Sequence, residues 1–302
     1  MIKTISVGQA TYELYVQVED FIKENDYYRF INKIGCGGGN AANVAYLLAK
    51  WGIGSTFAGT YGNDMYGNRI AKELQSVGVD TRYCETTYDK DTPVSTVIVN
   101  QKNGSSTLLN IADEYVKLKK FDFDFQPDFI FIDGHDPYAS KSTIERFPKA
   151  RTICGVTRNV AEVLDCARMC EFVIFNSSTA QSVTNIRIDY NNTNSLVEMY
   201  DSLRKKFDHQ KVIVTLGDHG ALYAIDNQIK VSPAVKVGVV DSTGAKDVFD
   251  GSFVYALTRE YTMEQAIRFA NIAAGLSVQK VGARLSIPRL QDVQKIYDEK
   301  AN

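Results

Sequence analysis

Asp241-Ser242-Thr243-Gly244-Ala245-Lys246-Asp247-Val248-Phe249-Asp250-Gly251-Ser252-Phe253 is a turn of small residues that opens a helix expected to reach about Leu257. The free backbone N–H groups at such a terminus form a site for an anion. Asp247 in the first turn has two readings. It is a helix cap, a role for which Asp is favoured, or a carboxylate that does chemistry beside a bound phosphate.

Upstream, short apolar runs at Phe129-Ile130-Phe131-Ile132, Phe172-Val173-Ile174-Phe175 and Val212-Ile213-Val214 lack alternation, which suits strands buried on both faces. Residues 1–8 read as a first strand entering a turn. Helices are expected over 42–50, 65–77, 194–207 and 262–281, with Gly52 and Gly78 as stops for the first two. Strands that alternate with helices imply a mostly parallel sheet covered on both faces, right-handed crossovers, and ligands outside the carboxyl ends of the strands. Two regions break the alternation. Residues 12–33 mix aromatic and charged side chains without a helical period. Residues 93–113 read as strand 94–99, turn Lys102-Asn103-Gly104-Ser105 and strand 107–111, projecting from the main body. One domain over 1–302 is expected, with a small β-lid formed by insertions at about 10–36 and 92–116.

The 302 residues carry 34 Lys and Arg against 36 Asp and Glu, a formal charge of −2. That balance offers no field for a nucleic-acid backbone or an anionic membrane, so neither is an expected partner. The 44% apolar and 23% charged fractions describe a chain able to bury a sizeable core. No apolar run approaches the roughly 20 residues that span a bilayer. The start lacks the pattern of a signal peptide, and five Cys without a CxxC pair read as reduced thiols, so a cytoplasmic location is expected.

A second glycine turn, Gly35-Cys36-Gly37-Gly38-Gly39-Asn40-Ala41-Ala42-Asn43, precedes the helix over 42–50. Consecutive glycines permit positive φ and leave the backbone open to a ligand. Asn40 and Asn43 are either caps or amides aimed at a polyhydroxylated ligand. Gly37-x-Gly39-x-x-Ala42 also fits the loose dinucleotide fingerprint, but it does not follow the first strand, and the chain has no Walker A pattern.

Together these segments resemble the ribokinase-like (PfkB-type) carbohydrate kinase family. DSTGAKDVFDG matches that family's D-T-x-G-A-G-D-x-F-x-G form, and GGNAANVAYLLAKWG its N-terminal Gly-Gly signature. Between and after them, Thr215-Leu216-Gly217-Asp218-His219-Gly220 and Lys280-Val281-Gly282-Ala283-Arg284-Leu285-Ser286-Ile287-Pro288 resemble its nucleotide loops. The resemblance implies a three-layer α/β fold, mostly parallel with helices on both faces and a small β-sheet lid. It implies transfer of the γ-phosphoryl group of ATP, with Mg2+, to a hydroxyl of a free sugar or sugar acid. Asp247 would be the general base, and the N–H groups of Gly244, Ala245 and Lys246 the anion hole. Glu13, Gly38, Gly39 and Asn43 would hold the substrate. Thr215, Gly217, Gly220, Gly282 and Ala283 would surround the nucleotide, and Asp241 and Ser286 would help hold a monovalent cation such as K+. A homodimer joined through the lid is expected. The turn at Gly38–Asn43 looks more like the fructokinase and ketodeoxygluconate-kinase variants than the ribokinase form with Lys in it.

Three departures keep other readings open, namely a degenerate binder of sugar or nucleotide, or a nucleoside kinase. Lys246 replaces the second Gly of G-A-G-D; it carries a steric cost if φ there is positive, or its ammonium reaches a phosphate. Asn176-Ser177-Ser178-Thr179 lacks the carboxylate of the family's N-x-x-E motif, which leaves magnesium to ATP and water. Glu13 is one methylene longer than the usual Asp. His135 in Asp133-Gly134-His135-Asp136 is read as a hydrogen-bonded loop residue and not a metal ligand, and Cys166 and Cys170 as packing residues. Arg204-Lys205-Lys206 reads as a solvated last helical turn.

Overall fold

Phe129, Phe131, Phe172, Ile174 and Ile213 enter one apolar core, while Ile130, Ile132, Val173, Phe175 and Val212 enter another. That division requires a sheet with side chains buried on both faces, and it explains why the runs do not alternate. The structure, a computed structural model, describes residues 2–110, 117–119 and 122–299.

β1 (Lys3–Val7) leads into two strands of a smaller sheet, β2 (Thr11–Val18) and β3 (Asn32–Gly38), and then into helix α1 (Asn40–Lys50). β4 (Gly54–Ala58), β5 (Thr60–Gly62), α2 (Met65–Ser76) and β6 (Glu85–Thr87) follow, and then the hairpin β7 (Val94–Asn100) and β8 (Ser106–Asn110). The next stretch alternates: β9 (Phe129–Ile132), α3 (Pro137–Arg146), β10 (Arg151–Val156), α4 (Ala161–Arg168), β11 (Phe172–Asn176), α5 (Ser177–Thr184), α6 (Thr193–Lys206) and β12 (Lys211–Thr215). β13 (Ala221–Ile225) and β14 (Gln228–Ser232) precede α7 (Ala245–Thr258), α8 (Met263–Ser277) and α9 (Leu290–Glu299).

Among the described residues the large sheet has the order β14-β13-β12-β11-β10-β9-β1-β4. It is parallel from β4 to β12, and β13 and β14 add an antiparallel edge. Helices α1, α2, α7, α8 and α9 supply the core on one face, and α3 to α6 the core on the other. This is the expected three-layer arrangement. The smaller sheet, β3-β2-β7-β8, encloses its own cluster of Tyr15, Cys36, Val97 and Val99.

The hairpin forms where the Asn-Gly pair places it, with Gly104 at φ 70°. Its tip does not simply project: Ser242 N–H donates to the Gly104 carbonyl at 3.2 Å, so the turn is docked on the segment before α7. The last residues of the expected lid insertion, 111–116, lie outside the described residues. Residues 12–33 divide into β2, an exposed connection and β3, because only the ends of that region pair. The helix expected over 262–281 stops at Ser277. There the Val278 carbonyl accepts from Val240 N–H (2.7 Å) and Asp241 N–H (3.1 Å), which diverts the chain into a loop. All five cysteines are free, and Cys166 and Cys170 are buried in the α3–α6 core. Among the described residues no helix is long and apolar enough to cross a membrane.

Helix α7 positions the decisive stretch. Gly251 lets Leu47 of α1 approach, since a Cβ there would stand 3.3 Å from the leucine. Phe253, fully buried, packs edge-on against Phe172 of β11 at 5.1 Å between ring centroids. Phe253→Ala is expected to cost about 3–5 kcal/mol, the usual range for emptying such a site. Urea unfolding measures it, and a loss below about 1 kcal/mol would show that the α7–sheet contact closes over the cavity.

Candidate functional site

Two helix N-termini meet above the carboxyl ends of the strands. Helix α1 starts after Gly39, whose φ is 90° and where a Cβ would lie 2.3 Å from the Gln9 carbonyl oxygen. Helix α7 starts after Gly244, at φ 77°, where a Cβ would collide with Ala283 at 2.5 Å. Both turns therefore require glycine. Between them sits the Asp247 carboxylate. Its Oδ1 accepts from Asn40 Nδ2 and its Oδ2 from Asn43 Nδ2, each at 2.7 Å. Burial pushes the Asp247 carboxyl above the ordinary aspartate range; the two asparagine amides and nearby Lys246 oppose that, and Asp133 adds to it.

Asp133, at the end of β9, ties the floor of the site together. It accepts from Gln9 N–H (2.9 Å), Ala41 N–H (3.2 Å) and His135 N–H (2.8 Å). Asp136 caps α3 through Ala139 N–H at 2.8 Å and accepts from Leu118 N–H. The two aspartates that flank His135 are thus committed to backbone donors. The His135 ring faces Arg158, with Nδ1 3.3 Å from Nη2. Among the described residues no three His, Cys, Asp or Glu side chains converge on a metal-binding point.

The glycines before α1 admit the protein's own side chains. A Cβ at Gly38 would stand 2.3 Å from Glu13 Cδ, and one at Gly37 would stand 1.9 Å from Arg284 Nη1. This differs from a backbone left bare for a ligand, because Glu13 and Arg284 fill the space a side chain would take. Glu13 accepts a short hydrogen bond from the Tyr15 hydroxyl, and that oxygen also accepts from Ala283 N–H at 2.9 Å. Burial pushes the Glu13 carboxyl up to about 7, opposed by Tyr15 and Arg284 and aided by Asp247. Arg284 is almost wholly buried. Its guanidinium donates to Asn43 Oδ1 (3.0 Å), Glu73 Oε2 (3.0 Å) and the Gly38 carbonyl (3.3 Å), while Glu73 Oε2 also accepts from Gly37 N–H at 2.8 Å.

Lys246 lies inside the first turn of α7, so the positive φ belongs to Gly244 and the steric cost does not arise. Its ammonium turns away from the helix terminus and pairs with Asp250 at 2.5 Å. Of the expected anion hole, Ala245 N–H already donates to Ser242 O at 3.3 Å.

Of the segments expected around a nucleotide, the 280s loop borders the same terminus, where Gly244 passes Ala283. Asp241 accepts from Thr243 N–H (2.9 Å) and Gly282 N–H (3.0 Å), and Ser286 Oγ donates to the Ala283 carbonyl at 3.0 Å. Asp241 thus ties the loop to the turn before α7, and Ser286 closes the loop on itself. Thr215 ends β12 opposite Asn176 of β11, and Gly217 (φ 62°) and Gly220 (φ 95°) bracket a single 3₁₀ turn. Asn176 Oδ1 caps α5 through Thr179 N–H at 2.7 Å, so this end of β11 offers no carboxylate to a divalent ion.

Glu73, Arg284 and Asp250 join this network without a role assigned from the sequence. A lone arginine among the small and apolar residues of Gly282-Ala283-Arg284-Leu285-Ser286-Ile287 was the available signal for one of them.

A sequence profile described as "pfkB family carbohydrate kinase" matches residues 1–290. A ribokinase of Staphylococcus aureus (strain COL) is 24% identical over 306 residues, 97% of this chain and 99% of its own. A deoxyribokinase of Salmonella typhi is 28% identical over 276 residues, 86% of each chain. The solved structure of Arabidopsis thaliana ribokinase complexed with ribose and ATP superposes with a TM-score of 0.77 at 23% identity, covering 98% of this chain and 99% of that one. A profile match over nearly the whole length, with two glycine turns that bring the asparagines of one helix onto the aspartate of the other, settles the classification: the chain belongs to the pfkB family of carbohydrate kinases.

Proposed function

We propose that the protein transfers the γ-phosphoryl group of ATP to a hydroxyl of a free, uncharged sugar, with Asp247 as the general base. The observation that carries this reading is the Asp247 carboxylate, clasped by Asn40 and Asn43 at the N-terminus of α7. The substrate hydroxyl gives its proton to Asp247 as its oxygen attacks the γ-phosphorus. The bond from phosphorus to the β–γ bridging oxygen breaks, ADP leaves, and the proton passes to solvent. The positive end of the α7 dipole faces the charge that develops on the phosphoryl oxygens. Magnesium enters as part of the ATP complex, since among the described residues no carboxylate cluster converges on a metal-binding point.

Glu13, Gly38, Gly39 and Asn43 border the pocket on the sugar side; Thr215, Gly217, Gly220, Gly282 and Ala283 border it on the nucleotide side. Two acidic groups, Glu13 and Asp247, share the sugar side, and the Arg284 guanidinium is already engaged by Asn43, Glu73 and Gly38. A carboxylate on the substrate would meet repulsion without a free cation, which favours a neutral sugar over a sugar acid. The ribokinase and deoxyribokinase names of the relatives make pentoses the first sugars to try. Lys246 leaves the helix terminus open, which favours turnover over a degenerate binder. Five free thiols agree with a cytoplasmic location.

The smaller sheet acts in this reading as a lid and a dimer contact. β8 is exposed along its whole length, with Leu108 and Leu109 each more than half exposed, and an uncovered edge strand of that kind invites pairing. A dimer is expected in sedimentation at micromolar concentration, and a monomer throughout that range would remove the pairing.

Asp247→Asn keeps the size of the side chain and removes the proton acceptor. Its kcat should fall by about 10²–10⁴-fold, with kcat/KM falling in step and the melting temperature retained. Near wild-type turnover with ATP and a sugar panel would sink the assignment of the base.

Glu13 supplies a pH test. As an anion it accepts two strong hydrogen bonds from sugar hydroxyls, and as the acid it accepts weaker ones. With its carboxyl pushed up to about 7, the sugar KM should fall as pH rises through neutrality. Glu13→Gln should flatten that dependence, and an unchanged profile would take Glu13 out of the sugar pocket.

A further inference from the structure

Asp250 lies one helical turn beyond Asp247 on α7 and is completely buried. Its Oδ1 has no partner among the described residues, and its Oδ2 accepts from Lys246 Nζ (2.5 Å) and from Asn40 Nδ2 (3.1 Å). Asn40 Nδ2 has two hydrogens. One goes to Asp250 and the other to Asp247. Gly155 of β10 makes this possible, because a Cβ there would lie 2.6 Å from both Asn40 Oδ1 and Asp250 Oδ2.

A carboxylate so deeply buried takes up a proton unless a cation holds it. Burial pushes Asp250 up to about 6, and Lys246 is the main opposing influence, followed by Asn40. Lys246 is itself largely buried, with 13% of its side chain exposed, so it is a dry counter-ion rather than a surface charge. Buried ion pairs contribute little net stability compared with apolar packing, so an arrangement of this kind calls for a role in orientation.

We propose that Lys246 is a positioning residue: by keeping Asp250 anionic it fixes the amide of Asn40, and through that amide the orientation and charge of Asp247. This inference rests on Asp247 as the base. With Asp250 charged, one Asn40 hydrogen is anchored and the other is directed at Asp247 Oδ1, while Asn43 holds Oδ2. The carboxylate then cannot rotate, and its remaining lone pairs face the acceptor hydroxyl. Lys246 serves the phosphoryl transfer from behind the carboxylate and does not touch phosphate.

The groups that set the titration of Asp247 are Lys246 and Asp250 on its own helix, Asn40 and Asn43 on α1, Asp133 after β9 and Glu13 on β2. Their balance is measurable without knowing the sugar. In protein carrying carboxyl-labelled aspartate, the carbon resonance lost in Asp247→Asn identifies Asp247, and its titration midpoint can be followed in each variant. Lys246→Met removes the cation that holds Asp250 anionic, so the Asp250 resonance, identified by its loss in Asp250→Asn, should titrate about one pH unit higher. Asp250→Asn leaves Lys246 without its partner carboxylate and should lower the Asp247 midpoint. The double variant should return it close to the wild-type value, and Lys246→Arg should leave it there. With ATP and ribose, kcat in Lys246→Met should fall about tenfold and the double variant should be no slower than the single ones, because each change removes the same anionic anchor, the coupling expected of a contacting pair.

Effects on kcat that multiply in the double variant, an Asp250 midpoint unmoved by Lys246→Met, or an Asp247 midpoint unmoved by Asp250→Asn would each overturn the proposal. So would a tenfold weaker ATP affinity in Lys246→Met with the midpoint unchanged, which would make Lys246 a phosphate ligand. Should Lys246→Met not fold, the near-isosteric Asp250→Asn decides by itself. Failure of the base assignment shows separately, as retained turnover in Asp247→Asn, and leaves the midpoint measurements interpretable.

Discussion

The Asn40 side chain is the joint on which the site depends. It reaches from the first turn of α1 to two carboxylates on the first two turns of α7, and no backbone hydrogen bond performs that function. The helices can approach so closely because glycine occupies the places where a side chain would intrude. Gly155 leaves room for Asn40 and Asp250, Gly251 leaves room for Leu47, and Gly244 lets the turn before α7 pass Ala283. The glycine positions in the sequence therefore record helix–helix and helix–strand contacts more than direct approach by a ligand.

Two helix termini with their positive ends on one site attract anions, and the proposed function asks the site also to hold a carboxylate that can accept a proton. The structure satisfies both demands by separating charges. Acidic groups line the α1 side, where Glu13, Asp133 and Asp247 gather. The α7 terminus and the 280s loop lie open on the other side, with Asp241 holding the loop by accepting from Gly282 N–H. The two cations nearest the cavity, Lys246 and Arg284, are each bound to an acid, Asp250 and Glu73. Neither is left as a free charge beside Asp247.

Much of the architecture was legible locally. The runs at 129–132, 172–175 and 212–214 are strands because their composition suits burial on both sides, and the Asn-Gly pair set the hairpin. Asp247 and the asparagines of α1 stood out because they follow glycine turns. The rest was not local. Arg284 and Glu73 lie 211 residues apart, and no pattern near either one announces their contact. The end of α8 at Ser277 depends on N–H groups at 240 and 241 reaching the Val278 carbonyl, which helical periodicity does not encode. The orientation of Lys246 turns on a buried partner four residues later. Spacing i, i+4 permits that pair, but only burial makes it preferable to solvent.

Arg284 shows how the two halves of the cavity are made to report on each other. Its backbone belongs to the loop that borders the proposed nucleotide side, while its guanidinium ends on Asn43 and Gly38 at the proposed sugar side. Tyr15 runs the other way: it sits in β2 of the smaller sheet, yet its hydroxyl oxygen accepts from Ala283 N–H in the same loop and donates to Glu13. A displacement of the 280s loop would therefore disturb the bond that Asn43 accepts from Arg284 and the Tyr15–Glu13 pair at once, and a shift of the smaller sheet would reach the loop through Tyr15. Because buried polar groups that lose a partner carry a cost of about 1–3 kcal/mol each, these bonds make the intermediate arrangements unfavourable relative to one in which both sides are set. The network thus favours a site in which Asp247, Glu13 and the 280s loop are set together.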